Sequence, residues 1–316
     1  MATSERGNIE MRIHRHTAVG FLLVLLSLLI GYRPAAGQQH RTLSQQLVGG
    51  EFSYTAKRGD SLISIGARFG IDAAVIAADN NLSASSPLKL GQVLHINNRH
   101  IIPKRVEEGI LINIPQRLLF HFNEGRLLRF FPVGLGRRDW PTPTGQFTIV
   151  AREENPTWDV PKSIQDEMQR EGKTVKTCVP PGPDNPLGSH WLGLSIPGYG
   201  IHGTIAPTSI YRFQTHGCIR AHADDIAQLF GEVLRGTPAI LIYERLLIAK
   251  IGQQVYLEAH RDVYKKNSDA PRLFEELLQA FNLESVVDRQ LAQSIIRKED
   301  GIARPITRGI GATDTQ

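Results

Sequence analysis

Residues 52–97 contain four short runs whose apolar positions follow strand, helix, helix and strand periods in turn. The first and last runs alternate with period two, which is typical of strands. The first helical run ends at Gly70 and the second begins after Asp72. Asp60 or Ser61 is placed to cap the first helix. The pattern predicts a small strand–helix–helix–strand module.

Residues 109–243 carry a different pattern, which is dominated by short alternating runs. Proline and glycine separate these runs, and regularly spaced strands with few helices are typical of a mainly β domain, either a sandwich or a barrel. Residues 223–234 predict one helix, because two acids lie in its first turn and its apolar residues recur at helical spacing. Residues 162–170 predict a second helix.

The remaining segments are less regular. Residues 98–108 are charged and are predicted to be a linker or an edge segment. The chain after Tyr243 is polar but contains two amphipathic helical patterns. They predict a helical C-terminal extension over residues 244–316 that packs against the rest. Its two amphipathic helices are expected near residues 272–281 and 284–296. The predicted fold class is α+β.

The first 37 residues have the pattern of a secretory signal peptide. Three arginines precede a largely apolar run over residues 17–32, and small residues occupy the −3 and −1 positions of a cut after Gly37. The alternatives for residues 1–37 are an uncleaved inner-membrane anchor and a short buried helix. A signal peptide places the mature chain, which opens with a linker over residues 38–51, outside the cytosol in an oxidising compartment.

Composition excludes several classes of protein. The chain has 316 residues, of which 41% are hydrophobic, and a formal net charge of +5. That composition is globular, and so small an excess of positive charge is not that of a dedicated nucleic-acid-binding protein. Two cysteines cannot form a disulfide scaffold, and no apolar run reaches the roughly 20 residues of a transmembrane helix. Membrane contact is expected only through the signal segment, if it is not cleaved.

Candidate chemistry concentrates between residues 201 and 221. Cys218 follows His216 by two residues and His202 by sixteen. A thiol with a pKa of about 8.5 is mostly protonated at neutral pH, and a neighbouring imidazole that takes its proton makes it a good nucleophile. The spacing of two predicts that His216 and Cys218 lie on one face of an extended segment.

The residues next to Cys218 extend this prediction. Gly217 lets the backbone approach closely and can leave amide groups free to form an oxyanion hole. Arg220 is suited to bind a carboxylate in bidentate fashion. The alternative for Arg220 is an ion pair with Asp224 or Asp225 at the start of the next predicted helix.

Each of these residues also has a simpler interpretation. Buried cysteines are common and usually inert. A zinc site requires three or four ligands, and this stretch offers only Cys218, His202 and His216, so no metal and no cofactor are predicted. The second cysteine, Cys178, is predicted to be free and partly buried. The alternative is a disulfide to Cys218, which would silence the nucleophile.

Two strings in this stretch resemble the L,D-transpeptidase catalytic domain, the YkuD family. They are His202-Gly203-Thr204 and Thr215-His216-Gly217-Cys218-Ile219-Arg220, and the resemblance runs over about residues 109–243. It implies that Cys218 is the nucleophile and that His202 is the general base, its ring held by a carbonyl such as that of Gly203. It also implies that His216 and Arg220 shape the substrate pocket. Thr215 occupies a position where many relatives have serine.

The reaction of that family is acyl transfer on peptidoglycan. The thiolate attacks the carbonyl of the L-centre of meso-diaminopimelate in a tetrapeptide stem, expels the terminal D-Ala and leaves a thioester. An amine then takes the acyl group, either that of another diaminopimelate, which gives 3→3 crosslinks, or a lysine of an outer-membrane lipoprotein. Two other functions stay open: an L,D-carboxypeptidase or endopeptidase that hydrolyses the same stems, and a non-catalytic wall-binding protein.

Residues 52–97 resemble a LysM domain, a βααβ module that binds the N-acetylglucosamine backbone of peptidoglycan and chitin. Ile63-Ser64 depart from its common form, which has an aromatic residue there. The resemblance implies that the module concentrates the enzyme on the wall, and that the chain is periplasmic, as in Gram-negative cell-wall enzymes. It also implies a sugar site between residues 85–90 and the turn formed by Gly59, Asp60, Ser61 and Leu62.

Overall fold

A computed structural model describes residues 43–266 and 269–309 of the chain. The predicted signal peptide, residues 1–37, lies outside the described residues, as does the start of the predicted linker that follows it. Within the described residues, no helix combines the length and the apolar character that crossing a bilayer requires.

The N-terminal module has the predicted order of strand, helix, helix and strand. Its two strands pair antiparallel, with Tyr54 opposite Leu94. Apolar residues of both helices and of the second strand form its core, among them Leu62, Ile65 and Ile76. The elements of this part of the chain are β1 (Leu47–Val48), β2 (Glu51–Thr55), α1 (Leu62–Phe69), α2 (Ala73–Asp79), β3 (Val93–Asn97) and β4 (His100–Ile101).

Local sequence accounts for both ends of α1. The hydroxyl of Ser61 accepts from the Ser64 amide at 3.1 Å, and the Ser64 hydroxyl accepts from the Ser61 amide at 2.8 Å, which is a reciprocal capping box. Gly70 ends the helix with a φ of +74°, a left-handed conformation that glycine adopts without strain. Asp60, the other predicted cap, instead accepts from the hydroxyl of Tyr54 at 2.7 Å.

The two predicted linkers are partly folded. β1, from the predicted linker at residues 38–51, pairs antiparallel with β4, from the predicted linker at residues 98–108. Ile101 of β4 is completely buried. Pairing of two short strands and burial of an apolar side chain fix the module against the rest of the chain, so these segments are not simple tethers.

The catalytic region forms a mainly β domain, as predicted. Its strands are β5 (Gly109–Asn113), β6 (Leu118–Asn123), β7 (Arg126–Pro132), β8 (Leu135–Gly136), β9 (Gly145–Glu154), β10 (Trp158–Asp159), β11 (Cys178–Val179), β12 (His190–Leu194), β13 (Gly200–His202), β14 (Phe213–Thr215), β15 (Ile219–Arg220) and β16 (Pro238–Ile242). Across these residues eight strands form one mixed sheet, in the order β15-β13-β12-β9-β16-β5-β6-β7. Two of its pairings, β16 with β5 and β13 with β15, are parallel.

Two helices of this domain, α3 (Lys162–Arg170) and α4 (Ala223–Glu232), correspond to the two predicted ones. Ile226 and Leu229 of α4 pack into the core of the sheet. This helix ends two residues before the predicted Leu234, because Val233 adopts an extended conformation. α3 has the predicted bounds, and none of its residues is buried.

The C-terminal extension is only partly helical. It contains α5 (Ala270–Phe281) and α6 (Arg289–Lys298), and the second begins at Arg289 rather than Glu284 because Asp288 caps it. Up to residue 309 it also contains an antiparallel sheet of β17 (Leu246–Ile251), β18 (Gln254–Ala259) and β19 (Arg304–Pro305), which the sequence analysis missed. Both faces of β17 are covered, so its apolar residues form a continuous run without the alternation that indicates a strand.

Candidate active site

Two short parallel strands bring the two halves of the predicted site together. Ile201 of β13 pairs with Ile219 of β15, and His202 pairs with Arg220. Cross-strand partners share a face of the sheet, and residues two apart on one extended chain do so too. Cys218, which directly precedes β15, therefore lies on the face of Arg220 and beside His202.

A cavity of about 510 Å³ opens over this face. Cys218, His202, His216, Arg220 and Thr215 all line it, so the structure brings these five predicted site residues together. The sequence analysis did not assign the aromatic and α3 residues of its walls to the site, because segments distant in the chain converge there only in the fold. They include Trp140, Trp158, Trp191, Tyr199, Ile164 and Met168.

His202 is buried and neutral. Its Nδ1 lies 2.7 Å from the carbonyl oxygen of Gly203, as the resemblance implied. Because a carbonyl only accepts, Nδ1 carries the proton and Nε2 keeps its lone pair. The indole of Trp191 stacks on the ring with centroids 5.8 Å apart. Burial, and next the positive charge of Arg220, lowers the pKa of His202 to about 3.

Cys218 is a protonated thiol in the same surroundings. Its Sγ lies 3.5 Å from the carbonyl oxygen of Gly198. Burial raises the pKa of the thiol above its ordinary value, although a hydrogen bond from the Gly200 backbone and the charge of Arg220 offset part of this rise. At neutral pH the site therefore holds a thiol and a neutral imidazole rather than a thiolate–imidazolium pair, and a base is needed to remove the thiol proton.

Gly217 and Thr215 set the bend that carries the thiol. Gly217 has a φ of +105°, and a Cβ there would lie 2.6 Å from Cε1 of Tyr199, so glycine is required on both grounds. The Gly217 amide donates to Oγ1 of Thr215 at 3.1 Å, so it is not the free oxyanion-hole donor that the sequence suggested. The Thr215 hydroxyl donates to the carbonyl oxygen of Cys218 at 2.6 Å.

His216 lies on this bend rather than on a continuous strand. β14 ends at Thr215 and β15 begins at Ile219, so the predicted extended segment is interrupted at the glycine between them. The Nε2 of His216 hydrogen-bonds the carboxylate of Glu167 on α3. The ring also meets Trp140 edge-on, with centroids 4.8 Å apart. No sequence signal pointed to Glu167, because its partner is 49 residues away along the chain.

Arg220 brings a positive charge to the cavity. Within the described residues its side chain forms no ion pair, so the alternative of a pair with Asp224 or Asp225 is not formed. Its Nε is buried and has no hydrogen-bond partner among the described residues. Burial lowers the pKa of this guanidinium, which Cys218 partly offsets, yet an arginine stays charged at neutral pH.

Cys178 differs from its prediction. Both cysteines are free, so the alternative disulfide is not formed, and Cys178 is exposed rather than partly buried. β11 pairs antiparallel with β10, with Cys178 opposite Asp159. Alternation along β11 turns Val179 inward, which leaves the thiol facing outward.

The predicted sugar-binding residues lie at the first turn of the LysM module. The Ser61 hydroxyl is used in the cap of α1, and the Leu62 side chain is 2% exposed and belongs to the module's core. The Asp60 carboxylate accepts from Tyr54, while Gly59 is exposed with a φ of +88°. Most residues of the other segment of the predicted site, residues 85–90, are exposed. That loop is therefore the more accessible side of the predicted site.

Known families match both regions of the chain. The L,D-transpeptidase catalytic domain family, YkuD, matches residues 107–241, which include every active-site residue described above. The LysM domain family matches residues 54–97, which comprise most of the N-terminal module. Both matches agree with the resemblances found in the sequence.

Individual relatives extend over most of the chain. The probable L,D-transpeptidase YcfS of Escherichia coli (strain K12) is 29% identical over 275 residues, which cover 83% of this chain and 86% of that protein. The probable L,D-transpeptidase ErfK/SrfK of the same strain is 30% identical over 230 residues, 70% of this chain and 74% of that protein. The probable L,D-transpeptidase YbiS, also of that strain, is 30% identical over 223 residues, 68% of this chain and 72% of that protein. The chain therefore belongs to the L,D-transpeptidase family and carries a LysM domain in front of its catalytic domain.

Proposed function

We propose that this protein is a peptidoglycan L,D-transpeptidase with Cys218 as nucleophile and His202 as general base. The observation that carries the proposal is the shared cavity, in which the thiol, the imidazole and the guanidinium of Arg220 lie on one face. The enzyme cuts a tetrapeptide stem between meso-diaminopimelate and D-Ala and transfers the acyl group to an amine.

The first half of the reaction forms a thioester. Sγ of Cys218 attacks the carbonyl carbon of the L-centre of diaminopimelate while its proton passes to Nε2 of His202. The hydrogen bond from Nδ1 to Gly203 holds the ring in the tautomer that accepts this proton. The C–N bond to D-Ala then breaks, and the imidazolium returns the proton to the leaving amine.

The second half releases the acyl group. An acceptor amine attacks the thioester carbonyl and gives its proton to His202, and the C–S bond breaks to restore the thiol of Cys218. The aromatic walls of the cavity favour this outcome, because they limit the access of water to the thioester. The acceptor is a second diaminopimelate, which gives a 3→3 crosslink, or a lysine of an outer-membrane lipoprotein.

Arg220 suits the donor stem. Its guanidinium lies on the face of the nucleophile, and its buried Nε has no partner within the described residues. A carboxylate of the stem peptide would accept hydrogen bonds from this guanidinium, which would place the scissile carbonyl near Cys218. His216, held by Glu167 and Trp140, forms the adjacent wall.

The LysM domain suits the same substrate. A module that binds the glycan backbone raises the local concentration of stems around the catalytic cavity. Peptidoglycan is therefore the partner of both domains. The signal-peptide pattern of residues 1–37 and this substrate together support a periplasmic location for the enzyme.

The test uses the purified mature chain, tetrapeptide muropeptides and product analysis by mass spectrometry. We expect release of D-Ala and formation of crosslinked dimers, and loss of both in Cys218→Ala. The matched control is Cys178→Ala, since that thiol is free, exposed and absent from the cavity walls. Tripeptides without dimers would instead identify a hydrolase, and no product at all would identify a wall-binding protein without activity.

A further inference from the structure

The LysM module is packed against the segment over residues 205–214, which connects the two active-site strings. Ile210 and Tyr211 of that segment share an apolar cluster with Ala67 of α1. A module that only tethers the enzyme to the wall needs no fixed docking on the catalytic domain. The fixed contact therefore indicates that the module has a second role besides tethering.

Arg117 forms the first link between the two domains. Its terminal nitrogens donate to the two carboxylate oxygens of Asp72 at 3.0 and 3.1 Å, and one of them also donates to the carbonyl oxygen of Tyr211 at 3.0 Å. The guanidinium lies 3.8 Å from the centroid of the Tyr211 ring. Asp72 precedes α2 as its N-cap, but its side chain makes no capping bond. The carboxylate is used in the domain contact instead.

Tyr211 lies close to the strand that leads to the nucleophile. Its amide donates to the carbonyl oxygen of Val133 at 3.2 Å, which ties it to the catalytic domain. β14 begins two residues later and ends at Thr215, whose hydroxyl donates to the carbonyl oxygen of Cys218. A displacement of Tyr211 would therefore move the bend that carries the thiol.

His222 forms a second link, on the other side of the nucleophile. Its Nε2 lies 3.1 Å from the carbonyl oxygen of Ala67 in α1 and donates to it, because a carbonyl only accepts. His222 is the N-cap of α4 and follows Arg220 by two residues. The module thus contacts the catalytic segment both before and after Cys218.

We infer that the LysM module positions the active site in addition to binding the wall, with Asp72 and the Ala67 carbonyl holding Arg117 and His222 in place. Neither Asp72 nor His222 lines the cavity of Cys218, so they act as positioning residues. The catalytic part of this inference rests on the proposed function. The structural part rests only on the contacts.

The test compares two isosteric variants of the module, Asp72→Asn and Asp79→Asn, in a Cys178→Ala background. Asn is as good an N-cap as Asp, so Asp72→Asn leaves α2 intact and removes the charge that faces Arg117. Asp79 lies at the other end of α2 and its partner is Arg304 of the extension, 4.0 Å away, so it is the matched control. For each variant we measure the melting temperature, the kcat and KM of D-Ala release, and the pH profile of Cys218 alkylation.

We expect kcat to fall about tenfold in Asp72→Asn with KM little changed, because a misplaced nucleophile slows the chemistry more than it weakens binding. The alkylation rate of Cys218 at about pH 8 should rise about threefold, because a displaced thiol is better solvated and its pKa moves toward the ordinary value. Asp79→Asn should keep the kcat and the alkylation profile of the parent. Equal kcat values and equal profiles in the two variants would overturn the inference.

His222→Asn is the second test and keeps the experiment decisive if Asp72→Asn folds poorly. Asn can still cap α4 but is too short to reach the Ala67 carbonyl. We expect the same direction of change in kcat and in alkylation, and parental values would overturn the second link. If the parent protein itself releases no D-Ala, the proposed function fails, whereas the alkylation profiles still decide the structural part of the inference.

Discussion

His202 and Arg220 lie opposite each other in register on the parallel strands β13 and β15. The guanidinium therefore acts on both the imidazole and the thiol: its charge, after burial, lowers the pKa of His202 to about 3, and it partly offsets the rise in the pKa of Cys218. Burial and Arg220 together thus keep His202 neutral, while Arg220 favours the thiolate form of Cys218. A low pKa at His202 disfavours a standing imidazolium–thiolate pair, so in the proposed mechanism the thiol proton moves to His202 only during attack.

The first prediction concerns the resting thiol. Because burial raises the pKa of Cys218 above that of an ordinary thiol, alkylation by iodoacetamide in a Cys178→Ala background should rise only at a more alkaline pH than alkylation of an exposed cysteine. His202→Ala should lower kcat more than about 100-fold. It should leave the pH profile of Cys218 alkylation nearly unchanged, because His202 is neutral throughout that pH range. A plateau of fast alkylation below neutral pH would show a thiolate–imidazolium pair and contradict the neutral resting site.

The second prediction separates the charge of Arg220 from its geometry. Arg220→Lys keeps the positive charge but loses the planar guanidinium, which can donate two parallel hydrogen bonds. The KM for the tetrapeptide should therefore rise about tenfold, while the low-pH limb of the profile of rate against pH stays in place. Arg220→Gln removes the charge, so the pKa of His202 should rise and the acid limb should move to higher pH. Unchanged kinetics with a lower melting temperature in Arg220→Lys would assign the side chain to stability alone.

The third prediction concerns the bend before the nucleophile. Gly217→Ala should destabilise the protein by about 1–3 kcal/mol and abolish turnover, because φ is +105° and the new Cβ would meet Tyr199. Gly231→Ala is the matched control: Gly231 lies in α4 with open space at its Cβ, and alanine there should stabilise the helix by about 0.5–1 kcal/mol. Urea unfolding and D-Ala release measure both effects. Turnover of Gly217→Ala at the parental rate would contradict the role of the bend.

The fourth prediction concerns Glu258, which is completely buried where β18 meets β4. Burial would raise the pKa of this carboxyl, but hydrogen bonds and charge from His100 and His260 lower it from 4.5 to about 2. A carboxyl with a depressed folded-state pKa stabilises the protein above about pH 4.5, and the stabilisation is lost as the pH falls from there toward 2. The shift corresponds to roughly 3 kcal/mol.

Urea unfolding between about pH 7 and pH 3 tests this prediction. The parent should lose stability over that interval, whereas Glu258→Gln should be less stable at neutral pH and lose less on acidification. Glu275→Gln is the control, because Glu275 forms a partly exposed ion pair with Arg289 that contributes little. Parallel curves for the parent and Glu258→Gln would refute the assignment to this carboxyl.

The fifth prediction concerns the whole module. If the module only concentrated the enzyme on the wall, as the LysM resemblance implied, deletion of residues 52–97 would weaken binding to sacculi and spare the reaction with small soluble muropeptides. The structure reverses this expectation, because deletion would expose the apolar cluster around Phe120 and Ile210 and leave the buried Arg117 without Asp72. We expect loss of activity on both substrates and a lower melting temperature. Full activity on soluble muropeptides would instead show that the module serves only to hold the enzyme on the wall.

Much of the fold followed from local pattern. The ends of α1 were readable because Ser61 and Gly70 act through backbone bonds within a few residues. The bounds of α3 agree with the predicted ones, and the start of α4 was readable from the two acids in its first turn. β17 was missed for the opposite reason: its alternation is erased because both of its faces are covered by parts of the chain far away in sequence.

The sequence by itself identified the two family-like strings around His202 and Cys218 and the two domains, since each depends on residue types at short spacing. Only the tertiary structure decided which groups surround them. The register of β13 and β15 places Arg220 beside His202, and α3 brings Glu167 to His216. The docking of the LysM module through Arg117 and Asp72 is likewise a long-range contact. Such contacts produce no periodic pattern in the sequence, because burial and charge pairing depend on which residues the fold brings together rather than on neighbours in sequence.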